Sequence, residues 1–375
     1  MKYVDKPEEL NQAHEAIVKS PWVAVDTEAD SLHHYVEKLC LLQISIPGDD
    51  FVIDPLASLN LGPLVKRLSQ KHLIFHGADF DIRILRRFHD FEPRGLFDTM
   101  IAAQLLGYEK QGLADLAKEH CGVSLSKSSQ KADWSIRPLN EALLLYAAND
   151  TRYLKPISLA LEHELESLGR SEWHAQSCAK LLNSLLVPRE DKSAERPAWQ
   201  VKGSKELKGK ALAILKALWF WREEEARRRD RPSFKIVHSE TLVEIVKWSE
   251  SHRGMDIASW PQAPRNIKGE YREVLNRLLE QSQDLELISF VTRKKDEKWQ
   301  KPDAQFKEKL LRLKEEREKI AGTLKIHPSL LATNALLEAL TAKLPKTREE
   351  MQELGGLMPW QAEILAVDFL KILSQ

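Results

Sequence analysis

The chain has 375 residues, 43% hydrophobic and 30% charged. That suffices for two or three domains with cores of their own and excludes disordered or collagen-like sequences. No stretch approaches the ~20 consecutive apolar residues of a membrane span, Met1–Ile17 lacks an apolar signal core, and the three cysteines (Cys40, Cys121, Cys178) are too dispersed for a disulfide framework or a Cys-rich zinc site, so a cytoplasmic protein is expected.

In chain order, Pro21–Asp26 is a short apolar run ending in acid. Leu39–Ile46 is a second strand candidate, followed by the turn signal Pro47-Gly48-Asp49-Asp50; Phe51–Asp54 is a third and Leu73–His76 a fourth. Leu64–Ser69 and Ile82–Phe88 read as helices between and after them, which predicts an α/β domain with buried strands. Leu139–Leu168 carries apolar residues at helical spacing, and Gly169 is a stop signal. Val187–Pro197, polar and proline-flanked, predicts a linker. Two helical regions follow, 203–285 and 304–375, with the charged connector Arg293–Lys298 between them. No strict repeat shows, although both could be versions of one small bundle.

The charge balance of 56 basic and 56 acidic side chains holds only on average. Residues 1–190 contain 21 basic and 27 acidic side chains, a net of −6; the remainder contains 35 and 29, a net of +6. An acidic half suits metal ions and a basic half suits a polyanion such as nucleic acid, although surface charge also drifts between domains without function.

Three segments carry chemistry. Asp26-Thr27-Glu28 places two carboxylates at positions i and i+2 of a strand, hence on one face, where they could grip one hard cation; a pair of surface acids at a strand end reads the same way. His76–Ile82 runs from a strand end into a helix and holds two acids, Asp79 and Asp81, either of which could simply favour the helix N-terminus. Tyr146 and Asp150 lie four apart on one helix face, either as a metal ligand beside a water-orienting phenol or as a hydroxyl satisfied by its neighbour. Taken together, four acids converging from a sheet and a late helix match the two-ion device for in-line attack on a phosphodiester.

In this order and spacing the segments resemble the motifs of the DEDD exonucleases, and Tyr146 resembles the marker of the tyrosine subclass. The wider match, over residues 1–190, is to the ribonuclease D family and its exosome-associated relatives. It is supported by Leu41–Ser45, Phe97-Asp98-Thr99 and Gln130-Lys131-Ala132-Asp133-Trp134. The resemblance implies a ribonuclease H-like fold. It implies Asp26, Glu28 and Asp150 as ligands with Asp26 bridging two ions (Mg²⁺ or Mn²⁺), Asp81 rather than Asp79 on the second ion, and Tyr146 orienting and helping to deprotonate the attacking water. A phenol with a pKa near 10 is a poor base alone, so the metal must acidify the water. His76, Gln130, Asp133 and Trp134 are substrate-contact candidates; a structural role for His76 and a core position for Trp134 are the competing readings.

Leu218, Trp221-Arg222, Ala226, Asp230-Arg231-Pro232, Leu242 and Ile245 resemble an HRDC module, and Arg227, Arg228 and Arg229 are candidate phosphate contacts unless Glu223–Glu225 neutralise them. Residues 304–375 resemble a second such module. The expected plan is therefore multidomain α/β plus all-α: an exonuclease domain at 1–190, then HRDC-like bundles at 203–285 and 304–375. Gly203…Gly209-Lys210-Ala211 departs from a phosphate loop in spacing and lacks the Ser or Thr, so no ATP is expected; His72 and His76 lack the further ligands a zinc site needs. The resemblance implies a 3′→5′ exoribonuclease acting on RNA with a single-stranded 3′ end, such as tRNA precursors, and releasing nucleoside 5′-monophosphates; sequence leaves the oligomeric state open, with a monomer favoured. The alternatives are a single-strand DNA 3′→5′ exonuclease and a catalytically silent nucleic-acid scaffold.

Overall fold

The structure, a computed structural model, describes residues 1–186, 197–281, 285–290 and 303–375. The expected connector Arg293–Lys298, and the expected linker apart from Pro197, lie outside the described residues. Two compact units are present: Met1–Ala29, Leu39–Pro188 and Gln300–Gln375 form one, and Asp30–Lys38 with Arg189–Trp299 forms the other. The last helical region thus shares a unit with the α/β domain.

The first unit is built on one sheet of β1 (Lys2–Val4), β2 (Val23–Ala29), β3 (Leu39–Ile46), β4 (Asp49–Ile53), β5 (Leu73–Phe75) and β6 (Leu96–Asp98), in the order β1-β4-β3-β2-β5-β6. Strand β3 is antiparallel to both neighbours and every other pairing is parallel. Eight helices accompany it: α1 (Pro7–Lys19), α2 (Gly62–Leu68), α3 (Asp79–His89), α4 (Thr99–Leu106), α5 (Leu113–Cys121), α6 (Glu141–Arg152), α7 (Leu154–Ser167) and α8 (Ser171–Leu186). All eight residues of β3 are buried because helices cover both faces, which explains its unbroken apolar run. On one face Val23, Val25, Leu42 and Ile44 pack with Ile17 of α1, Leu64 of α2, Ile82 of α3 and Leu182 of α8. On the other, Leu41 and Val52 meet Ala147 and Ala148 of α6, and Ala24 and Ile74 meet Leu154 of α7. Each buried Leu or Ile contributes roughly 2 kcal/mol.

Two elements differ from expectation. Strand β2 continues to Ala29, because its pairing with β3 runs as far as Ala29↔Leu39; Asp26 and Glu28 therefore lie within the ladder and not at its end. The long helix over 139–168 is two helices meeting at Tyr153. Pro156, in the first turn of α7, lacks the N–H that would bond back to Arg152, so a continuous helix is interrupted there.

The second unit contains α9 (Lys210–Arg228), α10 (Ser233–Ile236), α11 (Ser239–Ser251), α12 (Arg265–Lys268) and α13 (Arg272–Gln281) around Leu212, Leu215, Leu218, Leu242, Ile245 and Leu275. The rest of the first unit is α14 (Ala304–Leu324), α15 (Pro328–Leu331), α16 (Asn334–Lys343), α17 (Arg348–Gly355) and α18 (Pro359–Ser374). The repeat that sequence alone leaves open is explicit in side-chain chemistry. Buried Arg222 donates to the Val237 carbonyl (3.2 Å), Ser239 Oγ (3.0 Å) and Glu223 (2.9 Å). Buried Arg317, 95 residues later, donates to the Ala332 carbonyl (2.8 Å), Asn334 Oδ1 (3.0 Å) and Glu318 (3.0 Å). Core positions Leu218/Leu313, Ala226/Ala321, Leu242/Leu337 and Ile245/Leu340 keep the same offset, as do the left-handed residues Asp230 and Lys325 (φ +47° and +54°).

In the first unit, α14–α18 share a core with α4, α5 and α7, and Trp173 stacks on Trp360 at 4.5 Å. Buried Arg170 donates to the Leu105 carbonyl (2.6 Å) and the Leu324 carbonyl (2.8 Å), so one guanidinium satisfies the negative ends of α4 and α14 together. Beside it, Gly107 (φ +83°) lies so close to the Lys325 carbonyl that a Cβ would stand 1.9 Å from its oxygen. Gly107→Ala is expected to destabilise this unit by about 3 kcal/mol or more through steric overlap and positive-φ strain. A thermal or urea melt of the full chain checks this; an unchanged midpoint would show that the two backbones do not meet there.

Candidate active site

Asp26 and Glu28 project from the face of β2 that α6 covers, and α6 brings Asp150 to them. One carboxylate oxygen from each of the three lies within 4.8 Å of the others, and this is the one group of three or more such metal-binding side chains among the described residues. Helix α6 is fixed over the sheet by side-chain bonds. Ser45 Oγ donates to Asp50 (2.7 Å), so Thr151 Oγ1 donates to Ser45 (2.7 Å), and Arg152 Nε donates to Asp50 (2.8 Å). The Asn140 carboxamide caps the start of the helix through the Leu143 N–H (2.9 Å). Tyr146, one turn before Asp150, donates its hydroxyl to that carboxylate.

Asp81 is buried at the start of α3, and its Oδ1 accepts from Thr27 Oγ1 at 2.6 Å. Thr27 alternates to the face opposite Asp26 and Glu28, which accounts for the place of Asp81 outside the tight group of three. Asp79 is exposed and paired with Arg83 at 2.8 Å. The turn entering α3 is held by buried Asp98, whose carboxylate accepts from the Gly77 and Ala78 amides (3.0 and 2.8 Å) and also caps α4 through Met100 and Ile101 (2.9 and 3.2 Å). Thr99 Oγ1 donates to the Phe75 carbonyl (3.1 Å), so His76 Nδ1 carries the proton it shares with Thr99 (2.9 Å). His76 thereby ties β5 to α4, and burial lowers its pKa.

The other substrate-contact candidates divide. Gln130 is exposed. Asp133 Oδ1 accepts from Ser135 Oγ and N–H (2.6 and 3.1 Å), a local turn. Trp134 is 1% exposed and packs against the Tyr146 ring at 5.8 Å; its indole presents no open face for base stacking and instead backs the tyrosine. The arginine cluster, set out in sequence as three phosphate contacts, is engaged within its own unit. Arg229 pairs with Glu225 and Glu270, Arg228 with Glu225 (2.7 Å), and Arg227 lies over the Tyr35 ring at 5.5 Å. Glu225 and Glu270 thus offset charge on Arg228 and Arg229, the partial neutralisation that the neighbouring glutamates lead one to expect.

The carboxylates cannot all ionise together in the absence of a cation. Burial, then the charges of Asp81, Asp150 and Glu28, hold Asp26 well above the ordinary carboxylate range. Burial followed by Asp150 and Asp81 pushes Glu28 up to about 9. Burial raises Asp81 to about 7 against the pull of the Thr27 hydroxyl, and burial raises Asp150 to about 7 against the Tyr146 hydrogen bond. Tyr146 is pushed far above its ordinary value by burial and by the three acids. Its phenol therefore stays protonated and serves as a donor.

Comparison with known proteins adds the lineage. The family model described as 3′-5′ exonuclease matches residues 1–166, and the HRDC domain model matches residues 211–249 and 307–373. A Bartonella henselae protein named Ribonuclease D is 33% identical over 250 residues, covering 66% of this chain and 61% of that protein. The chain is similar to proteins named Ribonuclease D. It spans about three fifths of the length of the curated relatives matched at this level. Two solved structures share the fold from end to end. A protein from Bifidobacterium adolescentis has 22% identity and a TM-score of 0.81, with 100% of this chain and 97% of that one covered. Escherichia coli RNase D, an exoribonuclease involved in structured RNA processing, has 24% identity and a TM-score of 0.68, with 100% and 98% covered.

The family's exonuclease fold implies divalent metal ions. The donors here suit them: all are carboxylate oxygens, the set preferred by hard cations, and their mutual repulsion is what a cation would offset. Because native-state pKa values are raised, the metal-free site binds more protons than the unfolded chain. Its contribution is complete below the ordinary carboxylate pKa of about 4 and is lost as pH rises through about 7 (Asp81, Asp150) to about 9 (Glu28). In EDTA, Asp26→Asn should therefore melt above wild type at pH 8.5, with the gap closing toward pH 5, while Mn²⁺ raises the wild-type melting temperature and leaves the variant nearly unmoved. A variant less stable than wild type at every pH would show that the acids do not strain the fold.

Proposed function

We propose that the chain is a divalent-metal-dependent 3′→5′ exoribonuclease that hydrolyses phosphodiesters at RNA 3′ ends and releases nucleoside 5′-monophosphates. The observation that carries this reading is the group of Asp26, Glu28 and Asp150, all-oxygen and partly buried, beneath a helix that also presents Tyr146. RNA as the polymer is supported by the relatives named Ribonuclease D. Tail processing of tRNA precursors and other small structured RNAs is the role we assign, in keeping with the involvement of Escherichia coli RNase D in structured RNA processing.

In this reading Asp26, Glu28, Asp150 and Asp81 would hold the divalent ions, Mg²⁺ or Mn²⁺. Bound there, the ions supply Lewis acidity, lowering the pKa of water and offsetting charge on the phosphate. The chain's own contribution is positional. Thr27 fixes the Asp81 carboxylate, and Asp98 fixes the turn from which α3 starts. The Tyr146 hydroxyl, backed by Trp134, orients the nucleophile. Phosphate contacts by the HRDC-like bundles would draw on cationic side chains other than Arg229.

The test is digestion of 5′-labelled single-stranded RNA and matched DNA with Mg²⁺, Mn²⁺ or EDTA. A metal-dependent ladder shortening from the RNA 3′ end is expected. Asp26→Asn should lower the rate by about 10³-fold or more, and Tyr146→Phe by about 10²-fold. A ladder mainly on DNA would move the assignment to a DNA exonuclease; RNA binding without cleavage under any ion would leave only a scaffold.

A further inference from the structure

The buried amide of Gln43 stands out in the layer beneath α6. It is 0% exposed, and neither its Oε1 nor its Nε2 has a hydrogen-bond partner. A buried polar group left unpaired costs about 1–3 kcal/mol, and each such group in a folded protein calls for a reason. The register supplies one. Gln43 of β3 is directly opposite Asp26 of β2, and residues paired across antiparallel strands share a face with Cβ atoms about 4.5–5.5 Å apart. The flanking pairs are Glu28↔Leu41 and Ala24↔Ser45. The amide is therefore bracketed by the acidic group on one side and by the Ser45–Thr151 tether of α6 on the other. Its second neighbour, Val52 of β4, offers no polar side-chain atom. The Asp26 carboxylate, for its part, accepts a backbone hydrogen bond from Thr27. A buried donor without an acceptor and a carboxylate thus face each other across one pair.

We propose that Gln43 is a positioning residue of the metal site. Its Nε2 donates to the Asp26 carboxylate when that carboxylate holds a divalent ion, and its Oε1 is available to a water held beside it. The proposal rests on the metal-dependent reading above. Such outer hydrogen bonds orient metal-ligating groups, and their loss typically weakens metal binding about 10–100-fold. A residue of this kind carries a recognisable signature: the metal-free fold bears the cost of a buried unpaired amide, and the loaded site recovers it.

The experiment uses the full chain as wild type, Gln43→Met and Gln43→Asn. Methionine keeps length and volume without polar atoms; asparagine keeps the amide but shortens its reach by one methylene. Three quantities are measured: the melting temperature in EDTA, the Mn²⁺ dissociation constant by calorimetry, and kcat and KM on single-stranded RNA. Gln43→Met is expected to melt at or above wild type without metal, to bind Mn²⁺ at least about 10-fold more weakly, and to lose kcat with KM little changed. Gln43→Asn is expected to share the weakened Mn²⁺ binding. A loss of melting temperature in Gln43→Met with unaltered Mn²⁺ affinity would overturn the proposal and leave Gln43 a packing residue. Should Gln43→Met not fold, the Mn²⁺ affinity of Gln43→Asn decides, and a wild-type value there overturns it. A wild-type chain that neither binds Mn²⁺ nor cleaves RNA would instead overturn the functional reading, and this proposal with it.

Discussion

The structure depends on repulsion between carboxylates that the fold holds together. Asp26 and Glu28 cannot separate, because both belong to a strand paired with β3 at those positions. Asp150 cannot withdraw, because α6 is tied down at Thr151 and Arg152. Asp81 cannot swing away, because Thr27 and the start of α3 hold it. Like charges confined this way settle by sharing protons or by sharing cations. The raised affinity of these groups for protons and the expected affinity for metal ions are two expressions of one constraint.

That constraint assigns roles to side chains that look structural in isolation. Asp98, far along the chain from the acids, accepts four amide hydrogen bonds and fixes the turn that aims α3. Trp134 fills the space behind Tyr146. The antiparallel strand β3 lies between the helical layers and carries Gln43 and Ser45 on the face where the acids stand. In the helical parts, the buried arginines Arg222 and Arg317 each bond to the backbone carbonyl and the side chain of residues 15 and 17 positions later, so each small bundle closes on one charged side chain.

Much of this is legible in sequence. The acids and the tyrosine are found from spacing, because the periods of strand and helix fix which side chains share a face. The apolar run of β3 and the hairpin after it are equally plain. Less legible are β1 and β6, three residues each and too short for alternation to register, and the break at Tyr153, where the apolar pattern continues although Pro156 interrupts the hydrogen bonding. The choice of Asp81 over Asp79 comes in sequence from the resemblance alone; its physical ground is tertiary, since one is buried against Thr27 and the other faces Arg83 in solvent. The arginine run at 227–229 shows the opposite failing. Local composition signals a basic stripe beside the glutamates 223–225; the fold picks out Glu225 among them and adds Glu270, which is distant in sequence. Gln43 lies within the motif segment Leu41–Ser45, but sequence does not single it out, because its significance lies in what it fails to touch.

The account's central claim is that divalent ions replace protons in this acidic group. Calorimetric titration of the protein with Mn²⁺ near pH 7, in buffers of differing ionisation enthalpy, measures the number of protons displaced on binding. The account predicts net release, on the order of one proton per chain or more, falling toward zero in Asp26→Asn. Tight Mn²⁺ binding by the wild type with no proton release would contradict it.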